Sequence, residues 1–559
     1  MNIPTPFADI LIINGKVLTL DSASPTATAV ALGGGKVLAA GDEATVAAFR
    51  GPDTNIIDAK GGTVLPGFSE NHMHIFTGAA ELDHLQLGGV HGLAALTEAV
   101  RAYAAGRPGQ PVLFAQGADY AILGPDESLD RHKLDAIIKD QAILISAPDH
   151  HTSWANTKAL EMGGILHGRE LNAGNEIVMG DDGLATGVLL EMEAFGPVQT
   201  AGGFDRYRLG LSTGGEPEPY PDEATFKIDM DVMRIGLNYC AAHGITSVHN
   251  MDGNLYQLQL LEAIEKADGF LPCRVKIPFH YKKYMPLDAL DRAVEMTKRY
   301  NSDFISCGMV KVFYDGVLDS YTAVMIEPYA NKLDTVGTGL FEPDEFAKVA
   351  VAADARGLQI AVHAIGDGAV RAVLDGYEAA AKANGTRDSR HRIEHIEVIH
   401  PADISRFKTL GVVASMQPPH PPGAMDFPLE PTISNIGAAR WPYSYAWRTL
   451  KNAGARIAFA SDWPVSDISI IRGIQAAVTR KKWADTDPDQ SFSLHEALEA
   501  YCVEGAYTEF QEHQKGQIMP GFFADIVILD GDIENTAPAN FHTTGISTTI
   551  CGGRVTFSK

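Results

Sequence analysis

The sequence predicts an α/β fold that is centred on a (β/α)8 barrel of the TIM type. The chain has 559 residues, which is too long for one ordinary core. Short apolar runs such as GMVKVF, LQIAVH and RIAFASD are typical of buried parallel strands. These runs alternate with amphipathic patterns that predict helices, among them DEFAKVAVAADARG and HEALEAYCVEGAY.

The barrel is predicted to begin where VLPGF leads into SENHMH. Further strands are predicted at 244–249, 273–280, 308–314, 359–363, 392–395, 412–416 and 456–461. Histidine, lysine and aspartate side chains stand at or just past the ends of several of these runs. Strand ends of a closed barrel meet at its C-terminal mouth, where the active site lies, so these side chains are expected to converge.

Both chain ends are rich in β-strand signals. The runs ADILIINGKVLTL and TAVALGGGKVLAAG are separated by Asn-Gly and Gly-rich turns, and ADIVILDGDI and ISTTICGGRVTFSK repeat the pattern at the C-terminus. The local pattern predicts strands at both ends and leaves their pairing open.

The long stretch between the first barrel strand and GITSVHN contains its own strands, PVLFAQG and QAILISAP, and its own helices. Its segment GGFDRYRLGLSTGGEPEPYPDE is rich in glycine, proline and acidic residues, which predicts an exposed loop or lid.

Composition excludes several classes of function. The chain has 45 basic and 70 acidic residues, a net charge of −25, so a nucleic acid or an anionic membrane is not an expected partner. No apolar stretch approaches the length of a membrane span, and the N-terminal MNIPTPFADILIING lacks the features of a signal peptide. The five cysteines are far apart without a CxxC pair, which indicates reduced, mostly buried thiols and a cytoplasmic protein.

The most informative residues are candidate metal ligands. His72 and His74 are separated by one residue, which places both imidazoles on one face of a strand. Imidazole and carboxylate groups suit zinc, and with oxygen ligands also manganese, nickel or iron. The full candidate set, in chain order, is His72, His74, Lys311, His363, His395 and Asp462.

The order His-x-His, Lys, His, His, Asp resembles the amidohydrolase superfamily in its two-metal form. The segments VKVFYDG, AVHAIGDGAV, FASDWPV, HHTSWANTKAL and GITSVHNMD are similar to its YtcJ-like branch, which includes N-substituted formamide deformylases. The resemblance covers nearly the whole chain. It implies that residues 1–65 and 512–559 pair into one β-sandwich, that the barrel occupies 66–511, and that an α/β insertion spans about 80–235.

The resemblance also implies which residues hold the metals. His72, His74 and Asp462 would hold one divalent ion, and His363 and His395 a second, with zinc as the expected metal. Lys311 would bridge the two ions. Because an ammonium has no acceptor, the lysine would have to react with CO2 and become a carbamate.

The implied reaction is hydrolysis of a C–N bond in a small-molecule substrate, namely an amide, an N-formyl compound, a carbamate or a cyclic amide. Asp462 would accept the proton of the metal-activated water and return it to the leaving amine. A homodimer is a further expectation. Candidates on the substrate side are His151, His249, Asp252, Tyr321, His420 and Trp463.

Some positions depart from the pattern of the branch. Glu70 stands where an aspartate is usual, and Gly368 replaces an arginine, which predicts open space near the second metal. Tyr321 replaces another arginine, so an anionic substrate is less favoured. Glu394 points away from His395 along its strand, and we expect it to be buried against a helix by pairing with Arg392.

Two other classes of function remain open. A mononuclear deaminase of the same superfamily would lack the bridging lysine and would place a catalytic glutamate soon after the third histidine, where this chain has His363-Ala-Ile-Gly-Asp. A non-catalytic binding scaffold would normally have lost ligands, whereas this chain keeps the whole set. Metal content separates the three classes.

Overall fold

A computed structural model describes residues 7–124, 127–148, 151–172, 175–425 and 427–559. Residues 1–6, the start of the segment that lacks signal-peptide features, lie outside the described residues, as does His150, the first residue of HHTSWANTKAL. The described chain divides into two compact units. The first contains residues 7–75, 213–216 and 220–559, and the second contains 76–212 and 217–219.

The strands of the described residues are numbered here in chain order. They are β1 Ile10–Ile13, β2 Lys16–Leu18, β3 Thr26–Ala27, β4 Ala29–Gly33, β5 Lys36–Gly41, β6 Asn55–Asp58, β7 Thr63–Pro66, β8 Phe68–Met73, β9 Leu85–Gln86, β10 Val112–Gln116, β11 Ala142–Ser146, β12 Thr152–Ala155, β13 Glu176–Met179, β14 Ala185–Leu190, β15 Ile245–Asn250, β16 Arg274–Lys276, β17 Phe279–His280, β18 Ile305–Ser306, β19 Met309–Phe313, β20 Gln359–Ala364, β21 Arg392–His395, β22 Val413–Met416, β23 Arg456–Phe459, β24 Ile526–Leu529, β25 Ile546–Cys551 and β26 Arg554–Ser558.

The α-helices of the same residues are numbered in the same way. They are α1 Glu43–Ala47, α2 Ile75–Glu81, α3 Leu93–Ala105, α4 Arg131–Ile137, α5 Thr157–Met162, α6 Met192–Ala201, α7 Asp205–Thr213, α8 Glu223–Ala242, α9 Leu255–Asp268, α10 Leu290–Arg299, α11 Pro343–Ala355, α12 Asp367–Asn384, α13 Ile404–Leu410, α14 Thr432–Ile436, α15 Trp447–Asn452, α16 Ile470–Val478, α17 Leu494–Tyr501 and α18 Val503–Thr508. Within these described helices, none has both the length and the apolar content that a membrane crossing requires.

Two parallel sheets of the first unit carry the predicted site. One has the strand order β18-β16-β15-β8, and the other has the order β17-β19-β20-β21-β22-β23. Every strand pair in both sheets is parallel. The carboxyl ends of neighbouring strands therefore lie side by side within each sheet, and the α/β class is confirmed.

The two ends of the chain meet in a third sheet of the first unit, whose order is β26-β25-β24-β7-β2-β3. Strand β24 pairs antiparallel with β7, with Val527 opposite Leu65. A fourth sheet has the order β5-β4-β1-β6. Side chains of both sheets share one buried apolar cluster, which includes Ile12, Val30, Val64 and Ile526.

The second unit is built on a mixed sheet with the order β13-β14-β12-β11-β10-β9. Side chains alternate between its faces, because successive residues of a strand point in opposite directions. Val112 and Phe114 of β10 belong to one buried cluster, whereas Leu113 and Ala115 belong to another. Each face of the sheet thus has its own apolar core.

Two local predictions are wrong. The segment that was expected to be an exposed loop contains helix α7, whose residues Arg208 and Gly210 are buried. The pattern HEALEAYCVEGAY forms two helices, since Cys502 leaves the helical region with φ −124° and ψ −69° between α17 and α18. The five cysteines are free and buried, as expected from their spacing.

Candidate metal centre

The predicted ligands stand at the carboxyl ends of strands of the first unit. His395 is the last residue of β21, and His72 and His363 are the last but one residues of β8 and β20. Lys311 is the middle residue of β19. Asp462 follows β23 after a short turn. Parallel pairing sets His363 opposite Phe313 of β19, and His395 opposite Ala364 of β20, so these side chains approach the same edge.

The first cluster joins the two histidines of the His-x-His pair to Asp462. The Asp462 Oδ1 atom lies 3.1 Å from His74 Nε2 and 3.4 Å from His72 Nε2. All three residues are buried, and their ligand atoms lie close enough together to hold one metal ion. The chemistry of this donor set, two imidazoles and a carboxylate, fits a divalent cation such as zinc.

Buried carboxylates fix the orientation of both imidazoles. His72 Nδ1 lies 2.7 Å from Glu394 Oε2, and His74 Nδ1 lies 2.7 Å from Asp252 Oδ1. A carboxylate accepts a hydrogen bond, so each Nδ1 carries a hydrogen, and each Nε2 faces Asp462, where its lone pair would be available to a bound cation. Metal-ligating histidines in proteins have this arrangement.

A second cluster lies on the other side of Asp462. It contains His395, His420 and Asp462, all buried, and their ligand atoms are also close enough to hold a cation. The ring of His395 lies 4.8 Å from that of His72 and 4.5 Å from that of His363. His395 Nδ1 lies 3.0 Å from Gln417 Oε1 and 3.9 Å from Asp462 Oδ2.

Lys311 is completely buried among these groups. Within the described residues its Nζ has no hydrogen-bond partner, and it lies 4.8 Å from the centre of the Phe313 ring. Burial lowers the pKa of Lys311 to about 8, since a charged ammonium is poorly solvated there. His363 packs its ring on Phe313, and its Nε2 lies 3.1 Å from the carbonyl oxygen of Gly316.

The charges of the first cluster are strongly coupled. Burial lowers the pKa of His74, but Asp252 and Asp462 outweigh it and raise this pKa to about 9. Burial also acts against ionisation of Asp462, yet the facing imidazoles hold the pKa of Asp462 below its ordinary value. Glu70 is different, because burial raises its pKa to about 8.

Glu70 connects β8 to the turn that carries Asp462. Its carboxyl group accepts hydrogen bonds from the backbone N–H of Ser461 at 2.9 Å and of His72 at 3.3 Å. The departure from aspartate to glutamate therefore keeps a carboxyl group that positions two ligand-bearing segments.

The backbone is strained at two predicted ligands. His395 has φ +78° and Asp462 has φ +62°, and Ile396 follows with φ +50°. Residues with a side chain rarely adopt this left-handed region, and each such residue costs on the order of 1–3 kcal/mol. Strain of this kind is concentrated at functional sites, where the surrounding structure enforces it.

A buried chain of charged groups extends from the first cluster into the protein. Arg392 donates to Glu394 at 2.8 Å, and its Nη1 lies 2.6 Å from His249 Nδ1. His249 Nε2 lies 2.6 Å from Glu509 Oε1, and Lys515 donates to the same oxygen at 2.7 Å. Pairing of Glu394 with Arg392 is confirmed, but the expectation that it packs on a helix is wrong, because it holds His72.

Several residues that were predicted to face the substrate contact other parts of the protein instead. Both ring nitrogens of His249 have partners and the residue is fully buried, and Asp252 is buried against His74. Asp252 therefore positions the ligand His74 directly. His249 acts on His72 indirectly, through Arg392 and Glu394. The Trp463 carbonyl accepts a hydrogen bond from the His74 N–H, and its ring lies 5.4 Å from that of Tyr239.

Two further candidates, Tyr321 and His151, have partners that are not members of the first cluster. Tyr321 packs against Tyr329, with the ring centres 5.2 Å apart. His151 belongs to the second unit, where its Nδ1 lies 2.8 Å from Glu191 Oε2. Gly368 does not open space as expected, because a side chain there would meet the backbone of Val324 and Met325 at about 3.0 Å.

Comparison with known proteins identifies the family of this chain. The model of the amidohydrolase family matches residues 55–557, so the chain belongs to the amidohydrolase family. The prediction of a metal-dependent enzyme that hydrolyses carbon–nitrogen bonds is confirmed at the level of this family.

Particular relatives have moderate identity over most of the chain. Protein LONG AFTER FAR-RED 3 of Arabidopsis thaliana is 29% identical, over 93% of this chain and 87% of its own. The amidohydrolase YtcJ of Bacillus subtilis is 26% identical over 91% and 92%, respectively. The N-substituted formamide deformylase of Arthrobacter pascens is 24% identical over 99% of both chains. The resemblance to the YtcJ-like branch is therefore confirmed.

Among solved structures, a metal-dependent hydrolase of Pyrococcus furiosus is similar to this fold. Its TM-score is 0.71 with 25% identity, over 95% of this chain and 99% of the other.

Proposed function

We propose that this protein is a binuclear metal-dependent amidohydrolase that cleaves a C–N bond of a small-molecule amide, N-formyl compound, carbamate or cyclic amide. The observation that carries the proposal is the buried convergence of separate strand ends on Asp462. His72 and His74 approach its Oδ1 atom within 3.4 Å, and the ring of His395 lies 4.8 Å from that of His72.

The proposal includes a closed barrel formed by the two parallel sheets. Support comes from backbone hydrogen bonds between their edges: Asp462 N–H donates to the His72 carbonyl at 2.9 Å, and His74 N–H donates to that of Trp463 at 2.7 Å. These bonds join the end of β8 to the segment after β23. We further propose that the two sheets that share the apolar cluster of Ile12 and Ile526 form the β-sandwich.

We further propose that the site holds two divalent cations. In the proposal, one ion is held by His72, His74 and Asp462, and the second by His363 and His395, with zinc as the expected metal. Bound cations of this kind polarise a carbonyl group and lower the pKa of water from 15.7 to about 7.

Lys311 is proposed to bridge the two ions as a carbamate. Its neutral amine would add to the carbon of CO2 and lose a proton, which gives an anionic group with two acceptor oxygens. The buried Nζ, which has no hydrogen-bond partner among the described residues, supports this assignment. An unmodified ammonium at this position would be buried without a hydrogen-bond acceptor among the described residues, and only the charges of carboxylates such as Glu394 and Asp462 would offset its desolvation.

The chain's own residues would then position the substrate and move the proton. Glu394 and Asp252 hold the imidazoles of His72 and His74 in the tautomer that leaves Nε2 free of hydrogen. Asp462, which is held ionised, accepts a proton from the attacking water and returns it to the leaving amine.

The test is amine release by zinc- or manganese-loaded protein. N-aryl and N-alkyl formamides, acetamides, carbamates and cyclic imides form the panel, and Asp462→Asn protein is assayed beside the wild type. Turnover by the wild type alone supports the proposal, and the best substrate identifies the acyl and amine groups. If protein that holds its metals releases no amine from any compound of the panel, the proposal is contradicted. The homodimer and the cytoplasmic location stay predictions.

A further inference from the structure

His420 has the same surroundings as the histidines of the first cluster. Its Nδ1 lies 3.5 Å from Glu397 Oε1, and its Nε2 lies 3.9 Å from Asp462 Oδ2. His72 and His74 likewise have a carboxylate at Nδ1 and Asp462 at Nε2. The carboxylate–imidazole–Asp462 arrangement therefore occurs three times around one aspartate.

The distances at His420 suit a shared cation better than a direct contact. A separation of 3.9 Å is too long for a hydrogen bond between His420 Nε2 and Asp462 Oδ2. Two ligand atoms about 2.0–2.2 Å from one tetrahedral ion are about 3.3–3.6 Å apart, so the two side chains would have to approach slightly from the observed 3.9 Å to share a cation. Among the described residues, the Nε2 atom has no hydrogen-bond partner, although the residue is only 8% exposed. A buried polar atom without a partner requires an explanation.

The segment around His420 is held in place. The His420 N–H donates to the carbonyl of Gln417, whose side chain fixes His395. Glu397 is itself anchored by the Tyr445 hydroxyl at 2.9 Å. The rings of His395 and His420 are nearly parallel, with centres 6.0 Å apart. Both imidazoles therefore approach the Oδ2 side of Asp462, opposite the His72–His74 pair.

From this geometry we propose that His420 is a ligand of the second cation. Asp462 Oδ1 faces His72 and His74, and its Oδ2 faces His395 and His420, so this carboxylate would serve both cations. The inference rests on the proposed function and deepens it, because the superfamily pattern read from the sequence contains no ligand at this position.

The test is a titration of metal-free protein with Co²⁺, followed by absorbance and by competition with a chelating dye. Wild type is expected to bind about two ions in two resolved steps. In His420→Gln protein the second step should weaken at least about tenfold, since even residues that only support a ligand change affinity by 10–100-fold. The first step should be unchanged.

The matched control is Phe427→Leu, because the Phe427 ring lies 5.4 Å from that of His420 and supplies no ligand. It should keep both steps of the wild type. If His420→Gln protein also keeps both steps within about twofold, His420 is not a ligand. Anomalous diffraction from zinc-soaked wild-type crystals needs no variant: a zinc peak bonded to His420 Nε2 supports the inference, and two zinc peaks of which neither is bonded to His420 overturn it.

The amine-release assay separates the two claims. Zinc at His420 in a protein that cleaves none of the panel would leave this inference standing and reject the proposed function. Turnover of a panel compound, with an unaltered second binding step in His420→Gln protein, would support the proposed function and reject His420 as a ligand.

Discussion

At the scale of residues, Asp462 is the point at which the candidate site converges. Its two oxygens face imidazoles that come from different strands, and its backbone is held in the left-handed region at φ +62°. A side chain of this kind can be both a metal ligand and the group that moves the proton. Changes at Asp462 should therefore affect the chemical step more than any nearby surface change.

Asp462→Asn should lower kcat by about 10²- to 10⁴-fold, because the amide cannot accept the proton from water. The measurement is amine release at saturating substrate, with bound metal determined in the same samples. Asp467→Asn is the control, since that carboxylate pairs with Arg472 instead of the cluster. Equal kcat values in wild type and Asp462→Asn protein would show that another group moves the proton.

Glu394→Gln and Asp252→Asn should each weaken binding of the first cation by about 10- to 100-fold. Each change removes the carboxylate that orders the Nδ1 hydrogen of His72 or His74. Titration of metal-free protein provides the affinity. Glu378→Gln, whose carboxylate pairs with Lys382 on the surface, should leave it unchanged. Wild-type affinity in both buried variants would contradict the positioning role.

At the scale of elements, the ligands stand in the strands or directly after them, and close packing fixes the segments that follow. Gly366 lies between β20, which bears His363, and helix α12. Its φ of −76° and ψ of 154° suit any residue, but an added Cβ would stand 2.1 Å from the carbonyl oxygen of Val324. The requirement for glycine here is thus one of space alone.

Gly366→Ala is expected to destabilise the first unit by about 1–3 kcal/mol, as overpacking of a buried position does. Chemical unfolding followed by circular dichroism measures this loss. Gly531→Ala is the matched control in the same unit, because its Cβ would lie an ordinary 3.8 Å from Thr544. If Gly366→Ala protein is as stable as the control, residues 322–325 can move aside at little energetic cost, and the prediction is contradicted.

Helix α17 provides a prediction about pH. Arg448 donates two hydrogen bonds of 2.6 Å to Glu496, and this guanidinium lowers the pKa of Glu496 to about 2. The ion pair stabilises the fold above the unfolded pKa of about 4.5, and this contribution decreases as pH falls from about 4.5 towards 2.

Glu496→Gln keeps the capping geometry of Ser493 but removes the charge. It should lower the free energy of unfolding at pH 7 by at most about 1 kcal/mol, because the pair is partly exposed. The difference from wild type should shrink at pH 3. Urea unfolding at the two pH values measures it, and a difference that grows at pH 3 would reverse the assigned sign.

At the scale of the whole molecule, the sequence predicted the class of fold and the positions of the ligand-bearing strands. Apolar runs before His363 and Asp462 have the length of buried strands, and the structure has strands at these places. The pairing of Glu394 with His72 could not be predicted, since it joins residues 322 positions apart and depends on how strands assemble.

Predictions from local composition failed at positions where tertiary packing determines the structure. Helix α7 forms in a Gly-rich and acidic segment, and it buries one face through Arg208 and Gly210. Gly368 suggested open space, yet backbone from residues 324–325 fills it. The placement of His420 beside Asp462 also depends on a long loop after β22, whose course no periodic pattern specifies.

The central claim is that a binuclear cation site is assembled around Asp462 and bridged by Lys311. The most direct test is elemental analysis of the protein purified without chelators, together with Lys311→Ala protein. The account predicts about two divalent ions per wild-type chain, and a clear loss in Lys311→Ala protein. About one ion per chain in both proteins would favour the deaminase type of site, and an unchanged pair of ions without Lys311 would contradict the bridging role.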